Sequence, residues 1–227
     1  MKALLIIDEQ NDFIEGGSLA VQGGEKAALN TADFIRDNLH DLAYIFCSRD
    51  AHPANHIGFN IAWKENIPLY TSITEQEVRD GKYTPRYGSR EEVADLIKLH
   101  GPVTIWPEHC IFNSQGYLYP YYLMDAIWEW TEETGSQPYF ADKGKNPLFE
   151  EYAAFDGMEK DVFQAKVLGM SLWNKKSVSE LYVAGIAKDV CVANTVKLHK
   201  ELRSKMVFLD DCMATINSDS PSLEIFK

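Results

Sequence analysis

The sequence predicts an α/β fold with a mostly parallel sheet, and two observations carry that reading. Short apolar runs alternate along the chain with segments of helical period, and strands separated by helices build βαβ units. Of 227 residues, 45% are hydrophobic and 12% aromatic, a composition that buries a core rather than staying disordered. A single domain covering 1–227 is expected at this length.

The elements follow in order. Leu4 to Ile7 reads as a buried strand stopped by Asp8 and Glu9. Glu25 to Leu39 reads as a helix with Ala28, Ala32, Ile35 and Leu39 on one face. Leu42 to Cys47 is a second strand. Ser89 caps a helix running to Leu99, with Glu91 and Glu92 in its first turn and Gly101 past its end. Tyr121 to Thr134 is an apolar helix whose Trp128 and Trp130 suit either core or an interface. Pro138 to Ala141, Leu181 to Ala184 and Met206 to Leu209 are strands, with a helix from about Asp189 to Leu202. The stretch from Pro53 to Pro107 interrupts the alternation around that single Ser89-capped helix. Irregular segments this long are uncommon unless functional.

Charge and cysteines exclude several classes. Lys plus Arg is 22 and Asp plus Glu is 34, a net charge of −12. An acidic surface repels nucleic acid and anionic membranes alike. The first apolar run, Ala3 to Ile7, is too short for a signal-peptide core or a membrane span. Cys47, Cys110, Cys191 and Cys212 lack CxxC spacing, so a reduced, cytoplasmic chain is expected.

Open parallel sheets bind ligands outside the carboxyl ends of their strands. Asp8 follows the first strand, Asp50-Ala51-His52 the second, Asp142-Lys143-Gly144 the strand near residue 140, and Gly185 to Cys191 the strand ending at Ala184. Alone, Cys191 reads as a small buried hydrophobe, Asp8 as a loop cap and Lys143 as an exposed strand end. Convergence on one edge changes that reading. Cys191 in the first turn of a helix, beside a lysine, favours thiolate, and Asp8 is placed to take the thiol proton. Asp50 and His52 suit a borderline divalent ion such as zinc, iron or manganese, with His109 as a third ligand and His56 as a fourth. His40, His100 and His199 read as surface residues. Phe13 and Trp106 suit either core or the flanks of a planar substrate. No phosphate-binding glycine motif is present.

Five ordered motifs resemble one family. They are Leu5-Ile-Ile-Asp8-Glu-Gln-Asn-Asp-Phe13, Ser48-Arg-Asp50-Ala-His52-Pro-Ala-Asn-His56, Trp106-Pro-Glu-His109-Cys110, Lys143-Gly-Lys-Asn-Pro147 and Gly185-Ile-Ala-Lys-Asp-Val-Cys191-Val. The chain is similar to the isochorismatase-like cysteine hydrolases, and within them to the nicotinamidase branch, over residues 1 to about 217. The resemblance implies a three-layer αβα, doubly wound sheet of Rossmann-like topology. It implies a triad of Asp8, Lys143 and Cys191, with metal ligands Asp50, His52 and His109, and His56 in some members. It also implies a cis peptide between Ile186 and Ala187 and an oxyanion hole from the N–H groups of Ala187 and Cys191. Metal-free branches lack the paired histidines kept here, which favours the nicotinamidase branch.

The expected activity is hydrolysis of a small planar carboxamide such as nicotinamide through a thioester. A divalent ion, zinc ahead of iron or manganese, is the expected cofactor, and Phe13 and Trp106 flank the ring. The rivals are a hydrolase of carbamoyl or ureido substrates on the same fold, and a small-molecule binding protein without turnover. Two departures stand out. Asp50 and His109 are 59 positions apart, wider than in compact nicotinamidases, so a long insertion at about 57–105 is expected to form a lid or an interface, including one between identical subunits. After Asp219 there is room for only one or two helical turns, where the family has a longer helix, which points to a trimmed C-terminus.

Overall fold

The computed structural model describes residues 1–169 and 177–227. Five strands form the central sheet: β1 (Lys2–Ile7), β2 (Leu42–Asp50), β5 (Tyr139–Lys143), β6 (Glu180–Ile186) and β7 (Met206–Ala214). Their spatial order is β5-β2-β1-β6-β7, and every pairing is parallel. The chain leaves β1 toward β2 on one side and toward β6 on the other, so the sheet is doubly wound.

β1 is buried on both faces, as its unbroken apolar run requires. Its residues alternate between two cores. Ala3, Leu5 and Ile7 join Phe46, Phe163 and Val196 on one face. Leu4 and Ile6 join Ile35, Ile45, Ile127 and Trp130 on the other. Helices α1 (Gly24–Asp37) and α4 (Tyr121–Thr134) cover the second face, and α5 (Met158–Leu168) and α6 (Ala193–Leu198) supply the first. The result is the three-layer αβα arrangement. Trp130 is core, donating its indole N–H to Leu42 O at 2.9 Å, whereas Trp128 is exposed.

The strands are longer than their apolar runs. β2 continues through Ser48 and Arg49 to Asp50, β5 through Asp142 to Lys143, and β6 through Gly185 to Ile186. The polar residues stay in register because the ladder continues, Arg49 opposite Asp142 and Asp50 opposite Lys143.

The 57–105 segment holds more structure than its composition suggests. It contains β3 (Ser72–Ile73), α2 (Glu75–Arg79), α3 (Arg90–His100) and β4 (Val103–Thr104), with β3 and β4 pairing antiparallel. Its own core gathers Ile57, Trp63, Ile73, Val78, Val93 and Ile97. Both helices start with complete capping boxes, Thr74 with Glu77 and Ser89 with Glu92. α5 is missed by sequence reasoning because no apolar stripe of helical period stands out between Met158 and Leu168. His199 is fully buried, against the expectation of a surface site. Its Nε2 pairs with Ala154 O at 3.0 Å and its ring packs edge-on against Phe163. No helix among the described residues is long and apolar enough to cross a membrane.

Candidate active site

Strand order assembles the site. Lys143 ends β5, Asp50 ends β2, Asp8 follows β1, and Cys191 sits in the turn after β6. These strands are neighbours in that sequence, so the four side chains stand side by side at one edge. All four are buried.

Lys143 is the hub. Its Nζ lies 2.5 Å from Asp50 Oδ1, 2.9 Å from Asp8 Oδ2 and 3.6 Å from Cys191 Sγ, and it donates to Glu151 O at 3.2 Å. Asp8 Oδ1 accepts from Ser48 Oγ at 2.7 Å. Asp8 Oδ2 is ion-paired with the ammonium, and a carboxylate oxygen of Asp8 lies within 4.8 Å of Cys191 Sγ.

Burial and charge set the protonation states. Burial pushes the Asp8 carboxyl above its ordinary value, and the attraction of Lys143 offsets only part of that rise. Burial also opposes ionisation of Asp50, but Lys143, His52 and His109 outweigh it and hold that carboxyl below the usual range. Lys143 stays charged because Asp50 and Asp8 overcome its desolvation. Burial pushes the Cys191 thiol well above its ordinary value, and Lys143 pulls it back only in part. The thiolate expected from a helix start beside a lysine is therefore not the resting form. The helical turn at Lys188–Val192 is π-wound, and α6 proper begins after Cys191. A buried thiol needs a base, and Asp8 is in position.

Beside this row lies a cluster of metal-ligand type. The donor atoms of Asp50, His52 and His109 all lie within 4.8 Å of one another. Asp50 Oδ2 is 3.7 Å from His52 Nε2 and 3.9 Å from His109 Nε2. His52 Nδ1 faces Gly144 O at 3.1 Å, and His109 Nδ1 faces Pro107 O at 2.8 Å. A carbonyl accepts only, so each Nδ1 carries the proton and each Nε2 lone pair points toward Asp50. Burial drives His109 down to about 4, keeping it neutral. Asp50 raises the His52 imidazole above its ordinary value against its burial, so a divalent ion would take the place of a proton there, and one carboxylate and two oriented imidazoles fit such an ion. Gly144 permits this packing. Its φ is +68°, and a Cβ there would stand 2.4 Å from His52 Cε1.

His56 stacks on His52 with ring centroids 4.2 Å apart. Its Nε2 meets Phe149 O at 3.2 Å, and its Nδ1 accepts from Gly58 N at 3.2 Å. Both nitrogens are thus engaged by backbone. Phe13 and Trp106 line the pocket with Cys191 and Ala187. The peptide joining Ile186 to Ala187 is cis. Trp106 Nε1 donates to Tyr152 Oη at 3.4 Å.

Sequence reasoning missed Glu150, Tyr152 and Ile216, which also line the pocket. The first two lie on the loop after β5, and their proximity to Lys143 is the signal that would have found them. It also passed over two positioning residues. Gln10 donates to Asp50 O and Tyr117 O and accepts from Asp50 N, all at 2.7–2.8 Å. Asp12 accepts from Cys110 N at 2.6 Å, fixing the loop that presents His109.

No family model matches the sequence. Among curated proteins, the nicotinamidase of Escherichia coli is 31% identical over 215 residues, covering 93% of this chain and 82% of that protein. The nicotinamidase of Saccharomyces cerevisiae is 29% identical, covering 96% of this chain and 90% of that protein. Among solved structures, the yeast nicotinamidase Pnc1p superposes with a TM-score of 0.67 at 26% identity, covering 99% of this chain and 93% of that one. The pyrazinamidase of Pyrococcus horikoshii, solved in complex with zinc, shares the fold with a TM-score of 0.59 at 22% identity, covering 99% and 92%. Sequence similarity over most of both chains, with four of the five motifs at the strand ends of one parallel sheet, places this chain in the nicotinamidase family, a branch of the isochorismatase-like cysteine hydrolases.

Proposed function

We propose that this protein hydrolyses nicotinamide to nicotinate and ammonia. The observation that carries the reading is Lys143 within reach of Asp8, Asp50 and Cys191 beside an Asp50–His52–His109 cluster, in a chain 31% identical to the Escherichia coli nicotinamidase.

The chemistry follows from the contacts. Asp8 Oδ2, paired with the Lys143 ammonium at 2.9 Å, takes the proton from Cys191 Sγ. Burial raises both the Asp8 carboxyl and the Cys191 thiol, so the proton starts on sulfur and moves as the Lys143 charge favours the thiolate. Lys143, 3.6 Å from Sγ, stabilises the thiolate as it forms. Sulfur attacks the carboxamide carbon, and the carbonyl π pair moves onto oxygen. The N–H groups of Ala187 and Cys191 receive that oxyanion. Asp8 returns the proton to nitrogen, the C–N bond breaks and ammonia leaves, giving a thioester. Water then attacks the thioester carbon, sulfur departs and regains its proton, and nicotinate is released.

Asp50, His52 and His109 would hold the metal, and two imidazole nitrogens with one carboxylate oxygen make zinc the first ion to test, ahead of iron or manganese. When bound it supplies a Lewis acid and a positive charge next to the ring. Phe13 and Trp106 hold the ring between them. The 57–105 segment supports the pocket from behind, with Phe59 edge-on against His52 and His109 and Gly58 O accepting from Trp106 N at 2.8 Å. The exposed Trp128 on α4 marks the face for a homo-oligomer contact, which sedimentation tests. A reduced, cytoplasmic setting suits four unpaired cysteines.

The test is ammonia release from nicotinamide by the metal-replete protein, with Cys191→Ala alongside. Release that disappears in the variant supports the reading. Full release by Cys191→Ala sinks the mechanism. Release from a carbamoyl or ureido compound but not from nicotinamide moves the substrate and keeps the chemistry.

A further inference from the structure

Of the described residues that line the pocket, Ile216 alone is exposed, at 39%. The others are buried or half-buried. Ile216 belongs to an irregular stretch between the end of β7 at Ala214 and a short helical turn at Pro221–Phe226. Asn217, Ser218 and Asp219 beside it are exposed. Such a stretch has no ladder to fix it, and one side chain fixes it instead. Asp189 is buried, its Oδ1 accepts from Ile216 N and its Oδ2 from Asn217 N, both at 3.0 Å. Ser222 Oγ donates to Asp189 O from the far end of the same stretch.

Asp189 lies in the turn between Ala187 and Cys191, the two residues whose N–H groups are assigned to the oxyanion. Two charge-assisted bonds therefore tie the loop after β7 to the turn that carries the nucleophile. The pocket itself encloses about 20 Å³, room for one water but not for a ring. A lining side chain must turn out as substrate enters. Ile216 has solvent on its far side while Asp189 holds its backbone, so turning its side chain opens the pocket without moving the loop. A β-branched side chain has few χ1 states, which makes the opening discrete in width.

We propose that Ile216 is a specificity-determining residue that sets the width of the pocket mouth, and that Asp189 is the positioning residue that holds it there. The substrate class is then narrowed to planar carboxamides whose ring carries no group on the edge facing the mouth. The substrate class rests on the amidase reading above. The placement of Ile216 rests on the hydrogen bonds of Asp189 alone.

The test reads ratios, which cancel any loss of folded enzyme. On the metal-replete full chain, kcat/KM is measured for nicotinamide and for its ring-methylated derivatives. Alkylation of Cys191 is followed by mass spectrometry with iodoacetamide and with the bulkier N-phenyliodoacetamide. Ile216→Ala should raise the methylated-to-parent ratio by about 10-fold or more for at least one derivative, and the bulky-to-small alkylation ratio with it. Ile216→Val, which keeps the branch, should restore most of the wild-type ratio. Asp189→Asn keeps the shape but turns an amide N–H toward one of the two backbone donors, and should move both ratios the same way by a smaller factor. A role in folding alone lowers every rate together and leaves both ratios where they were. Unchanged ratios in Ile216→Ala overturn the proposal while leaving the amidase reading intact. Ratios that move in Ile216→Ala but not in Asp189→Asn overturn the role given to Asp189. Absence of ammonia from every amide defeats the nicotinamide reading instead, and the alkylation ratio then decides the width of the mouth by itself.

Discussion

The edge of the sheet and the 57–105 segment are both buried, yet they are held by different forces. At the edge, Asp8, Asp50, Lys143 and Cys191 crowd around one ammonium with contacts of 2.5–3.6 Å. Their positions come from parallel ladders, and the charges would repel or desolvate one another if the strands shifted. In the 57–105 segment the centre is apolar, with Trp63 fully buried among Ile57, Ile73, Val78 and Val93. Trp106, directly after its end, lines the pocket, and Phe59 packs edge-on against His52 and His109, while its apolar centre packs on itself. Chemistry is thus fixed by backbone register, and the wall of the pocket by side-chain packing. The two should be separable by mutation.

The largest effect belongs to the edge. Cys191→Ala is expected to lower ammonia release by a thousandfold or more, roughly 4 kcal/mol in transition-state terms, with little change in melting temperature. A stable variant with wild-type activity would break the comparison outright. Trp63→Ala attacks the other region. It removes a buried indole that donates to Ile57 O at 2.8 Å, and should cost about 3–5 kcal/mol of stability. KM should rise as Trp106 loosens, while iodoacetamide still alkylates Cys191 at the wild-type rate. A fall in that rate would show that the two regions are one unit.

Glu9 tests the sheet without touching the chemistry. It is fully buried next to Asp8, accepts from Thr31 Oγ1 at 2.8 Å, and burial pushes it up to about 8 from 4.5. The folded protein therefore keeps a proton that the unfolded chain releases above 4.5. The stability tied to that proton is complete below pH 4.5 and is lost as pH rises toward 8. Glu9→Gln should flatten this decline and gain about 2 kcal/mol over wild type at pH 9, read by urea titration at several pH values. A parallel decline in the variant would show that Glu9 is already ionised. The smallest effect is Ser89→Ala, which removes the capping box of α3 and should cost about 1 kcal/mol. Because α3 lies in the self-contained segment, kcat should not move.

Much of this was legible in the sequence. The strand-end rule brought Asp8, Asp50, Lys143 and Cys191 together before any geometry, because parallel order fixes which residues reach the same edge. The helices at Glu25, Ser89 and Tyr121 were legible from period and caps. The rest depended on tertiary facts. The thiol state of Cys191 follows from burial, which a lysine 48 residues away in the sequence does not reveal. His199 looks like any polar residue on a helix until Phe163 and Ala154 enclose it. Glu150 sits in a loop with no periodicity, and only the fold turns it toward His52. The extra elements of the 57–105 segment are two to eleven residues long, too short for most of them to carry a periodic signal.

The ladder has a consequence for how the protein comes to life. β1 pairs with β2 some 40 residues away and with β6, where Lys2 lies opposite Glu180. Long-range parallel pairings form late and slowly. The base, the ammonium and the thiol come from three separate strands, so a partly assembled sheet holds no fraction of an active site. Regained turnover after dilution from denaturant is then a clock for the last strand to dock, whereas tryptophan fluorescence from Trp63, inside its local core, can recover earlier. The interval between the two signals measures how long the chain waits, compact but inert, for its ends to find each other.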